Sequence, residues 1–78
     1  MKVYLVVTEQ RDENGNVCNY SIIGVYDTYS QAKKKQKMWI DYWDMLDRKI
    51  FFIGKDTAVS ITKYDVRSII YVEEREVK

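Results

Sequence analysis

The dipeptide Asn14-Gly15, set between two runs of β-branched and aromatic residues, constrains this chain more than any other feature. Asn-Gly in that setting is the strongest short-range hairpin signal, because a type I′ turn needs positive φ at both central residues. The run before it, KVYLVVT, reads as a strand, and VCNYSIIGVY (17–26) reads as its return. A two-residue turn sets Val7 opposite Ile22, Val6 opposite Ile23 and Val3 opposite Tyr26. Val3, Leu5, Val7, Ile22 and Tyr26 then share one face, and Tyr4, Val6, Ile23 and Val25 share the other. Both faces are apolar, so each needs a cover.

The stretch DTYSQAKKKQKMWIDYWDMLDRK predicts one helix. Thr28 is placed to cap it, with Gln31 three residues on as the second half of a capping box. At about 100° per residue, Ala32, Gln36, Trp39, Ile40, Trp43 and Leu46 form one stripe. Lys33, Lys34, Lys37, Asp41, Asp44 and Arg48 fall opposite. Met38, Tyr42 and Met45 lie on a flank, so the apolar arc is wider than one sheet contact needs.

Three further strands follow: IFFIG (50–54), AVSIT (58–62) and RSIIYVEEREV, the last ending in a charged tail. KYDV (63–66) reads as a short turn between the last two. The order β-β-α-β-β-β predicts an α+β fold, a mainly antiparallel curled sheet with one amphipathic helix. At 78 residues the chain, 1–78, is a single domain with a thin core.

Two stretches resemble known sequences. SIIGVYDTYSQAKK resembles the strand-to-helix passage of small uncharacterised proteins of phages and Gram-positive mobile elements, where a strand ending in Gly-Val-Tyr leads into a capped helix. AVSITKYDVRSIIYVEE resembles a β-turn-β ending that closes a curled sheet in small phage-type proteins. Both are packing patterns rather than active sites. The resemblance implies a mobile-element origin and a role against host machinery, such as inhibition of a defence protein.

Composition excludes several chemistries. Histidine is absent and Cys18 is the one cysteine, so neither an internal disulfide nor a zinc site can form, and no imidazole activates the thiol. The assumed hairpin register sets Cys18 opposite Arg11. MKVYLVV turns polar at Thr8, too soon for a secretory signal, and no apolar run reaches membrane-spanning length. The expected compartment is the cytoplasm, that of the host for a phage protein. Asp41, Asp44 and Asp47 drift around the helix, and Glu73, Glu74 and Glu76 sit near the terminus, so neither group forms the shielded carboxylate pair of acid–base catalysis. No phosphate loop, nucleophile elbow or metal spacing occurs. The chain reads as a non-enzyme without cofactor or metal.

Two binding readings remain. A nucleic-acid grip would use Lys33, Lys34, Lys35 and Lys37 on phosphates, with Trp39 or Tyr42 stacking on bases. Residues 28–50 hold six basic and three acidic side chains, whereas the whole chain carries a net charge of only +1. Tryptophan at i and i+4 on the apolar stripe favours the core over stacking, and binding of this kind would be weak and non-specific. The other reading is a protein partner, a second copy included, held by Met38, Tyr42 and Met45 on the helix and Tyr4 on the sheet. The competing fate of the surplus apolar surface is burial inside the chain, by later strands curling over it.

Overall fold

The hairpin forms where Asn14-Gly15 places it, but through a different turn. In this computed structural model, which describes residues 1–62 and 65–77, β1 (Lys2–Arg11) and β2 (Val17–Tyr26) flank the loop. Gly15 has φ 84°, while Asn14 is not among the positive-φ residues, which rules out type I′. Gly15 N–H donates to Asp12 O at 3.0 Å, and Asp12 N–H donates to Asn16 O at 3.0 Å. The Asp12 carboxylate accepts from Asn14 N at 2.9 Å and Asn16 N at 3.0 Å. The loop is the three-residue hairpin connection with its last residue left-handed, organised by an aspartate at its first corner.

The register expected at Val7↔Ile22 is present, but a shift between Val6 and Val7 sets Val6 opposite Gly24 and Tyr4 opposite Tyr26. The expected Val6–Ile23 and Val3–Tyr26 pairs are therefore absent. Tyr26 moves to the face of Tyr4, Val6 and Ile23, and Val25 joins Leu5 on the other. The Tyr26 ring lies over Gly24, where an added Cβ would come within 2.5 Å of it and push it aside. A second shift near the turn sets Arg11 opposite Val17 rather than Cys18.

Helix α1 (Tyr29–Met45) starts at Thr28, whose hydroxyl accepts from Gln31 N at 3.3 Å. It ends in a Schellman motif: Arg48 N–H reaches Trp43 O at 3.3 Å, and Asp47 N–H reaches Asp44 O at 3.0 Å. Asp47 occupies the left-handed position usually held by glycine, at φ 60°. Its carboxylate also faces the negative end of the helix dipole. Asp47→Gly is expected to stabilise the fold by about 0.5–1 kcal/mol, read as a higher midpoint in urea. An unchanged or lower midpoint would remove this account of the helix end.

The remaining strands are β3 (Lys49–Ile53), β4 (Thr57–Ile61) and β5 (Arg67–Glu76). All pair antiparallel, in the order β2-β1-β5-β4-β3. The result is an α+β fold in the expected element order. Of the turn expected over 63–66, Lys63 and Tyr64 lie outside the described residues. The helix covers the face of Tyr4, Val6, Ile23 and Tyr26. Val6, Ala32, Trp43, Ala58 and Ile70 form the buried core, with Trp39, Ile40, Ile50 and Val72 packed around it. Leu46, expected on the buried stripe, is exposed because the helix ends one residue before it.

Among the described residues no helix or strand covers the opposite sheet face. β4 and β5 continue the sheet beyond β1, on the side away from β2, and Ile22 and Val25 stay exposed. Leu5 and Val7, on the interior strand β1 between β2 and β5, are buried. Tyr71, opposite Val7, helps close this face and donates its hydroxyl to Glu9 at 3.5 Å. Burial, then the Glu9 charge, pushes the Tyr71 phenol above its ordinary range.

Candidate partner-binding surface

Met38, Tyr42 and Met45 stand one helical turn apart on the outer flank of α1, 64%, 54% and 82% exposed. They keep the spacing of a recognition stripe, i, i+4, i+7. Lys35 and Trp39 join Met38 and Tyr42 around a shallow depression of about 390 Å³. Methionine and tyrosine suit such a surface, one by adapting its shape and the other by offering a flat ring with a polar tip.

Tyr4 is not part of this stripe. It lies half-buried near the start of the helix, its ring meeting Tyr29 edge-on at a centroid distance of 5.9 Å. Its hydroxyl donates to Glu74 at 3.4 Å. Tyr4 closes one end of the helix–sheet layer.

The four lysines do not act together. Lys33, expected on the solvent face, folds back toward the sheet. Its ammonium donates to Gln36 Oε1 and to Lys55 O, each at 2.7 Å, and stands 3.6 Å from Asp56 Oδ1. Gln36 is itself buried and donates to Asp56 O at 2.7 Å and Ile70 O at 3.2 Å. This network ties the first half of the helix to the β3–β4 turn. Tyr29 caps it by donating to the Asp56 carboxylate, and that hydrogen bond raises the Tyr29 pKa. Lys37 pairs with Asp41 at 3.7 Å. Lys34 and Lys37 border a groove of about 700 Å³ between α1 and β3, floored by Ile40 and Phe52. Lys35 leaves on the other flank, toward Met38.

This division weakens the case for a phosphate grip. Two uncommitted lysines on different flanks, Lys34 and Lys35, give a slope of about −2 in log affinity against log salt. Trp43 is buried and offers no face to a base, whereas Trp39 is half-buried and Tyr42 exposed. Labelled DNA and RNA are expected to bind weakly at low salt and not measurably at physiological salt, without sequence preference, by fluorescence anisotropy. Submicromolar binding at physiological salt would restore the nucleic-acid reading.

A second exposed apolar surface has no signal in the sequence. Phe51, Phe52 and Ile53 of β3 are 51%, 67% and 63% exposed. IFFIG reads as a strand, but its exposure follows from its place at the sheet edge. Cys18 is also exposed, its thiol turned to Asn16 O at 3.6 Å. Among the described residues no group of acidic or sulfur ligands is placed to hold a metal ion, and no helix is long and apolar enough to cross a membrane.

No protein-family model, curated protein or solved structure matches the chain.

Proposed function

We infer that this chain is a non-catalytic module that binds a protein partner through the outer flank of α1. The observation that supports the reading is the Met38–Tyr42–Met45 stripe, three large apolar side chains left in solvent on a helix whose opposite side fills the core. Burying such a stripe on a partner is favourable at about 25 cal/mol for each Å² of apolar surface. The chain's likeness to small phage and mobile-element proteins extends the reading. The partner is then a host protein, such as a component of a defence system, and the chain acts in the host cytoplasm as an inhibitor or modulator. A reducing compartment suits the single exposed thiol of Cys18.

The double variant Met38→Lys/Met45→Lys tests the flank. Lysine is a good helix former and both sites are exposed, so the fold is expected to persist by circular dichroism. Affinity for a partner recovered from host lysate is expected to fall at least tenfold, as when a hot-spot side chain is lost. Undiminished affinity in the folded double variant overturns the assignment of this flank.

A further inference from the structure

We propose that β3 is a self-complementary edge at which two copies of this chain pair antiparallel about a two-fold axis at Phe51. The argument does not depend on the helix flank.

The two edges of the sheet are built differently. β2 is ten residues long, and its ladder to β1 is broken by two register shifts, the irregularity that commonly protects an edge. β3 has no such protection. Its ladder to β4 runs unbroken from Lys49↔Ile61 to Ile53↔Thr57, and among the described residues its outward side pairs with no other strand. It contains no proline, and Lys49 is its one charged residue. Phe51 and Ile53 project on the open face, while Ile50 and Phe52 project toward α1. Apolar side chains thus line both sides of an unpaired backbone, the arrangement that invites another strand.

The sequence of the strand itself selects its occupant. Pairing about Phe51 sets Phe51 opposite Phe51 of the second copy, Ile50 opposite Phe52, and Lys49 opposite Ile53. All five residues of β3 then find partners, with aromatic and β-branched side chains facing each other. Lys49, the one charge of the strand, then faces Ile53 and not the Lys49 of the second copy. Moving the axis to Phe52 would leave Lys49 and Ile50 without a partner in β3 of the second copy. Strand length and side-chain pattern thus favour one register, and that register closes on itself as a two-fold dimer. On the helix side, Ile50 of the second copy would meet Phe52 and extend the apolar floor of the groove beside Ile40.

Analytical ultracentrifugation of the full chain tests this directly. A reversible equilibrium between the 9.4 kDa chain and twice that mass is expected. Phe51→Lys and Phe51→Glu each place like charges across the axis and are expected to weaken dimerisation at least tenfold, with unchanged circular dichroism. Mixing the two variants is expected to restore a dimer. In a Cys18→Ser background with an added oxidant, Phe51→Cys is expected to cross-link and Phe52→Cys is not, because facing Cα atoms about 4.5–5.5 Å apart suit a disulfide. The helix-flank double variant is expected to dimerise normally, so failure of either surface can be recognised separately. A wild-type chain that stays monomeric at the highest attainable concentration overturns the proposal. So does a dimer that survives Phe51→Lys, or two charge variants that stay apart when mixed.

Discussion

Trp43→Ala is expected to bring the fold to the edge of unfolding. Trp43 is 3% exposed and packs with Val6, Ala32, Ala58 and Ile70. Two of those neighbours are alanines, one on the helix and one on the sheet, and such small residues cannot close over the loss of the indole. Truncating a buried tryptophan costs about 3–5 kcal/mol. A chain of this size is stable by only about 4–12 kcal/mol. Each kcal/mol lowers the melting temperature by about 4–8 °C in a domain this small. Thermal circular dichroism is expected to show a loss of about 12 °C or more, or no cooperative transition. Trp39, the other tryptophan of the stripe, is only half-buried, and Trp39→Ala is expected to cost clearly less. A Trp43→Ala protein melting within a few degrees of the parent would remove this residue from the centre of the core.

Gln36→Leu is expected to have the next largest effect, although it replaces a polar residue with an apolar one of similar size in a buried position. Gln36 joins three elements at once, donating to the carbonyls of Asp56 and Ile70 and accepting from Lys33. Leucine would keep most of the packing and remove all three hydrogen bonds, leaving the Lys33 ammonium short of an acceptor where the helix meets the β3–β4 turn. Asp56 O keeps its bond from Val72 N–H and Lys33 its bond to Lys55 O, so the cost is that of the lost hydrogen bonds, about 1–3 kcal/mol. Urea denaturation is the measurement. A Gln36→Leu protein as stable as the parent would show that water replaces the amide without loss.

These two positions mark what local pattern reveals and what it hides. The Thr28 cap and the stripe through Ala32, Trp39, Ile40 and Trp43 were legible because helix periodicity and capping are properties of adjacent residues. Gln36 fell on the stripe for the same reason, but its carbonyl partners lie 20 and 34 residues away, beyond any local signal. The hairpin's position was legible and its turn type was not. Asn14-Gly15 points to type I′, whereas the Asp12 carboxylate gathers the amides of Asn14 and Asn16 into a longer loop. The register shift was hidden because Ile22 and Ile23 are both apolar and either could face the core. The helix flank could be read as an excess of apolar arc. Lys33 could not be told from its neighbours, since its use depends on where the β3–β4 turn arrives. Exposure of Phe51, Phe52 and Ile53 follows from strand order, which emerges only from long-range pairing.

That strand order also sets the timing of folding. The two longest ladders share β1, yet its partners come from opposite ends of the chain: β2 follows at once, whereas β5 closes the pairs from Lys2↔Glu76 to Arg11↔Arg67. The hairpin and helix can assemble from neighbouring residues within microseconds. Closing β1 on β5 must instead bring together residues separated by most of the sequence, with the loop entropy that such closure costs. During synthesis Leu5, Val6 and Val7, buried in the finished sheet, therefore have one bare flank until β5 leaves the ribosome. For that interval an interior strand of the mature sheet is an open edge, and chaperones or another nascent chain can reach it.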